Sequence, residues 1–119
     1  MRRFLLMSTL CLCTAAATAS ETDPINWHGI WMNGHNVLWI VAGPTEAVAV
    51  AGAAYHQLGP NSYLDSEVNF RAVPMGDKLL LASADCQIEL SYADHQIAAR
   101  EMGHCAVDQV SFAGTYSRQ

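Results

Sequence analysis

Five histidines, His28, His35, His56, His95 and His104, are the first residues of this 119-residue chain that could do chemistry. Imidazole nitrogens bind divalent metals, and a structural zinc site sets paired ligands a few residues apart so that one turn presents both. None of the five keeps that spacing with another histidine, and Cys105, beside His104, has a competing fate as half of a disulfide. Most of the five fall in or beside turn signals, where a solvated imidazole is the ordinary outcome. No metal site is expected.

Catalytic groupings are no better supplied. The chain has no G-x-S-x-G, no H-E-x-x-H and no phosphate-binding glycine loop. Asp65 and Glu67 stand two apart, on one face of any strand, but a glycosidase pair also needs a cleft that holds the sugar between its carboxylates. They read as solvated acids. The expectation is a protein that is not an enzyme and has no cofactor.

The cysteines say where it works. Cys11 and Cys13 lie in an opening stretch in which Arg2 and Arg3 precede an apolar run, Phe4 to Leu12, and an A-x-A formed by Ala17, Thr18 and Ala19. That is the pattern of a secretory signal over residues 1–19, leaving one domain over 20–119. The run is shorter than the about 20 residues a bilayer span takes, and leucines stand before both cysteines where a lipoprotein signal has a small residue. Cys86 and Cys105 survive cleavage and are expected to pair in the periplasm or outside the cell. The bridge would close a loop of about 20 residues, worth about 3 kcal/mol in the chain-entropy account. Losing Arg2 and Arg3 leaves four basic against eleven acidic residues, a net charge of −7. Nucleic acid and anionic membrane are then poor partners, and a basic protein a good one.

The elements that position these residues are read from period and turn signals. With 51% hydrophobic and 14% charged residues the chain is a single globular domain. It breaks every six to ten residues, with period-two alternation between the breaks, which predicts an all-β fold. The expected strands cover residues 27–32, 37–42, 47–55, 67–73, 78–83, 86–92, 96–101 and 110–117. In the sixth, Cys86, Ile88, Leu90 and Tyr92 share the inner side. Eight short strands in sequence hide their edges best as a small antiparallel meander barrel, and up-and-down order brings Cys86 and Cys105 to one end of it. Residues 56–66, with Gly59, Pro60, Asn61 and Ser62, lack an apolar period and are expected to form the major loop.

Gly29-Ile30-Trp31 is a G-x-W at the first strand, and Arg118 follows the last. The pair resembles the calycin superfamily of meander barrels, which implies that Trp31 and Arg118 close one barrel end, an arginine over an indole gaining about 0.5–2 kcal/mol. A second resemblance covers more of the chain. Trp27, Gly29 and Trp31, then Cys86, Ile88 and Leu90, then Cys105, Val110, Ser111, Phe112, Gly114, Tyr116 and Arg118 follow the order of a small secreted domain of Proteobacteria. Where that pattern often has two glycines after the cysteine, Ala106 and Val107 stand here. Some members look to be joined to a helical domain labelled a lysozyme inhibitor. The resemblance implies export and a disulfide-bearing β domain, without an activity.

Binding is then the expected function. The 56–66 stretch and its approach offer Tyr55, His56, Asn61, Tyr63, Leu64 and Asp65, a mixture of amphipathic anchors and adaptable polar groups suited to contact with a protein. The partner expected is basic, a lysozyme for instance. The alternative is a barrel that holds a small ligand or a metal.

Overall fold

The computed structural model describes residues 25–107 and 109–119, and the expected signal over residues 1–19 lies outside them. Among the described residues there is no helix; eight antiparallel strands form a nearly closed barrel. They are β1 (Gly29–Asn33), β2 (Asn36–Ala42), β3 (Val48–Gly59), β4 (Ser62–Ala72), β5 (Lys78–Ala82), β6 (Cys86–Ala93), β7 (Gln96–Gly103) and β8 (Gly114–Arg118). Each pairs with its neighbour in sequence except β4 and β5, which lie side by side without a hydrogen-bonded ladder and leave one seam; β1 also pairs with β8, the first described strand with the last.

Alternation explains the core. Leu38 and Ile40 of β2, Val48 and Val50 of β3, Leu79 and Leu81 of β5, Ile88 and Leu90 of β6, and Ile97 of β7 all point inward and are buried. Gly52 continues the inner row of β3 where Leu38, Phe112 and Val68 come so close that a Cβ would sit about 3 Å from each. The missing side chain makes room for the Phe112 ring. The turns obey local chemistry too: Asp94 and His95 both take positive φ, the two-residue hairpin geometry whose twist suits the flanking strands.

The two barrel ends are closed differently. At one, residues 25–28 fold across the opening and bury Trp27 against Tyr92, whose ring also meets Trp31 edge-on. Arg118 lies 4.3 Å above the Trp31 ring and donates hydrogen bonds to the carbonyls of His28 and Asn26. At the other end residues 110–113, which precede β8, cross the lumen. Val110 and Phe112 are buried there, and Glu101 accepts the Phe112 N–H at 3.0 Å. Gly103, at φ +86°, lets β7 pass so near Asp85 that a Cβ would collide with its carbonyl, and His104 N–H bonds that same oxygen at 2.7 Å. This brings Cys105 to Cys86 with Cα atoms 4.7 Å apart, and the disulfide forms. Such a bridge in a small barrel is consistent with an oxidising, exported location.

Two sequence expectations are corrected. Residues 56–66 are not a loop: β3 and β4 run through them and turn only at Pro60 and Asn61, so Tyr55, His56, Tyr63, Leu64 and Asp65 are strand residues. The hairpin projects past the barrel rim, where neither face is fully covered, and a strand with two wet faces has no apolar period to read. The last expected strand is split, with residues 110–113 forming the lumen crossing and β8 starting at Gly114. Trp39 faces outward and is exposed, beside Ile30 on the same outer row.

Candidate functional site

The projecting hairpin is held at its root by one side chain. The ladder between β2 and β3 has Val37 opposite Ala53, and two residues further the Tyr55 N–H would meet the β1–β2 turn. Asn36 solves this: its Oδ1 accepts the Tyr55 N–H at 3.1 Å, while its Nδ2 donates to the Ser111 carbonyl at 2.8 Å and to the Tyr116 hydroxyl. One amide thus joins β2, β3, β8 and the lumen crossing. From the other side Ser66 of β4 accepts the Val107 N–H at 2.9 Å. Both links fix the base of the hairpin to the stapled end of the barrel.

Above this base the outer face is concave. Extending the β2–β3 register by two residues sets His35, in the two-residue turn with Gly34, next to Tyr55, and Tyr55 is the partner of Asp65. Tyr63, two residues before Asp65, shares its face. The four side chains line an open cleft of about 490 Å³. Tyr55 and Tyr63 are 39% and 51% exposed, large amphipathic rings left in water, and His35 meets the Tyr63 ring edge-on at 6.5 Å. Glu67, one row further along β4, is also exposed and lies opposite Ala53. Neither carboxylate has an ion-pair partner among the described residues, where Arg100 and Glu89 form the pair found.

The residues expected to bind divide along the pleat. Tyr55, Tyr63 and Asp65 share the outer face and meet in the cleft. His56 and Leu64 are cross-strand partners on the opposite face, Leu64 packing against the core, and Asn61 lies at the hairpin tip. His35 was not among the expected binding residues. Its place depends on how β2 pairs with β3, which no motif around Gly34 encodes. Trp31 and Arg118 stack at the opposite barrel end, away from the cleft.

The other histidines are dispersed. His28 gives its carbonyl to Arg118, His95 lies in the β6–β7 turn with Nδ1 3.2 Å from the Tyr92 hydroxyl, and His104 leads into Cys105. Among the described residues no three histidine, cysteine or acidic side chains converge as metal ligands. The cleft presents two phenols and one carboxylate from paired strands and one imidazole from the adjoining turn, an arrangement that can hold a cationic or polar group against aromatic surface. Comparison with protein-family models, curated proteins and solved structures found no match to this chain.

Proposed function

We propose that the protein is an exported, non-enzymatic binding module, resident in the periplasm or secreted, that docks a basic protein through the outer face of the β3–β4 hairpin. The observation that carries this reading is the cleft: Tyr55 and Tyr63 exposed beside the unpaired carboxylate of Asp65, on strands fixed at their base by Asn36 and Ser66. Tyrosine supplies contact area at low entropic cost and is enriched where proteins meet. The net charge of −7 expected after signal removal steers basic partners to the molecule and repels nucleic acid and anionic membrane.

A lysozyme is the partner to try first, being basic and suggested by the company that the resembling secreted domain keeps. The purified, disulfide-intact protein is added to a lysozyme assay at ionic strengths of about 0.01 and 0.15 M, where the Debye length is about 30 and 8 Å. The expected result is inhibition that weakens at higher salt and falls about tenfold in the double variant Asp65→Asn/Glu67→Gln. Full activity at both salts removes lysozyme as the partner. A second reading, a small-ligand binder, draws on the volume of the cleft, which lies within the usual range of about 300–1,000 Å³ for ligand sites.

A further inference from the structure

We propose that the cleft takes the guanidinium group of an arginine side chain, with Asp65 accepting its forked N–H donors and the rings of Tyr55 and Tyr63 covering its faces. This rests on the reading of the hairpin as a docking face for a basic protein, and names the group that face recognises.

Position comes first. Tyr55 is the direct cross-strand partner of Asp65, which sets their Cβ atoms about 5 Å apart, and Tyr63 lies about 7 Å along the same face. The carboxylate therefore has one ring beside it across the ladder and another along its own strand. A flat cation entering there meets an acceptor ahead of it and a π-face beside it. Guanidinium is planar, weakly hydrated and matched to a carboxylate by two parallel N–H donors, whereas an ammonium is a compact, strongly hydrated charge that stacks poorly.

Charge comes second. On β4 the groups facing the site are Tyr63, Asp65 and Glu67; on β3 they are Tyr55 and Gln57; from the β1–β2 turn there is His35. Arg71 shares the outer face of β4, but six residues from Asp65, about 20 Å along the strand, it is too far to neutralise the carboxylate. Among the described residues, two carboxylates in succession thus lie without a cation between them. A neutral polar ligand such as a sugar would gain hydrogen bonds there but no ion pair, and an anion would be repelled. The site is open, so one side chain binds weakly by itself and acts as an anchor within a wider contact.

The test is an NMR titration of the disulfide-intact protein with three probes that separate shape from charge: Nα-acetyl-arginine amide, Nα-acetyl-lysine amide, which keeps the charge and loses the planar head, and Nα-acetyl-citrulline amide, which keeps the planar head and loses the charge. Saturable shifts are expected at residues 35, 55, 63 and 65. Arginine should bind at least about threefold tighter than lysine and about tenfold tighter than citrulline, which has the shape of arginine without its charge. Asp65→Asn should cost about tenfold in arginine affinity and Tyr63→Ala about fivefold, with the remaining spectrum unchanged. Equal binding of citrulline, shifts centred elsewhere, no saturation, or indifference to Asp65→Asn would each overturn the proposal. The two readings fail separately. Lysozyme untouched while the arginine probe binds removes that partner and keeps the clamp; lysozyme inhibited while the probe shifts nothing removes the clamp alone.

Discussion

The two ends of the barrel solve the same problem with different materials. At the end closed by residues 25–28, aromatic side chains do the sealing: Trp27, Trp31 and Tyr92 pack edge to face, and Arg118 covers the Trp31 ring with its donors on backbone carbonyls. The Trp31 indole N–H bonds the Trp27 carbonyl at 2.9 Å. At the other end main chain fills the opening, kept there by the disulfide and by polar side chains, Asn36, Glu101 and Ser66, that each meet a backbone group. Beyond it stand two tyrosines and two carboxylates with their polar groups turned to water. Completed contacts at one end and open ones at the other separate a sealed end from one that leaves aromatic and acidic side chains in water.

The sharpest way to break that contrast is to exchange large for small at each end. Trp31 has no exposed surface, and Trp31→Ala should cost about 3–5 kcal/mol, lost transfer energy plus a cavity that its neighbours fill only in part. Set against a total of about 5–15 kcal/mol for a natural domain, that leaves little. Tyr63→Ala, half exposed on the hairpin, should stay within about 0.5 kcal/mol. Urea denaturation of both variants reads the difference. Comparable losses would mean that the hairpin is part of the cooperative core, and the division of labour between the ends would fall.

A middle-sized effect probes the joint between core and hairpin. Asn36→Ala strands the Tyr55 N–H and the Ser111 carbonyl, at a cost of about 1–2 kcal/mol because both are only partly shielded from water. Amide exchange at Tyr55 should accelerate. Asn36→Asp separates the two roles, since a carboxylate still accepts from Tyr55 but no longer donates to Ser111. It should restore protection at Tyr55 and leave the lumen crossing loose. If Tyr55 exchanges at the same rate in all three proteins, Asn36 does not hold the hairpin.

The same division decides what was legible in the sequence. Where one face is buried, as along Cys86, Ile88, Leu90 and Tyr92, alternation named the strand and its inner side correctly. The disulfide followed from the two cysteines left after the expected signal cleavage, and up-and-down order agrees with it by setting the start of β6 and the chain after β7 at one rim. The β3–β4 hairpin was misread for the converse reason. With Gln57, Leu58, Ser62 and Tyr63 wet, burial imposes no period, and the residues of a long hairpin look like those of a loop. His35 was missed because its neighbourhood is made by register between strands, which is a long-range property. The lumen crossing at residues 110–113 kept the alternation of a strand, since burying Val110 and Phe112 demands the same spacing whether or not a ladder forms.

The smallest effect tests the polar end from within. Burial pushes the Tyr116 phenol above its ordinary value near 10, the Asn36 amide opposes this by donating to the oxygen, and the nearby Glu101 carboxylate adds to the rise. The hydroxyl donates to the Phe112 carbonyl at 2.7 Å, so ionisation would also strip that carbonyl of its donor. The sign follows. An acid held protonated in the native state leaves stability untouched below its unfolded value and drains it as pH rises from there towards the native one, because the unfolded chain releases its proton first. Stability should therefore begin to fall above about pH 10. Tyr116→Phe should be less stable at neutral pH by about 1 kcal/mol, the worth of one hydrogen bond, yet lose less on going alkaline. The difference in absorbance near 295 nm between wild type and Tyr116→Phe isolates the late-ionising phenol. In Asn36→Ala, where the favourable donor is gone, that phenol should ionise later still; earlier ionisation there would show that the amide does not reach the phenol in solution.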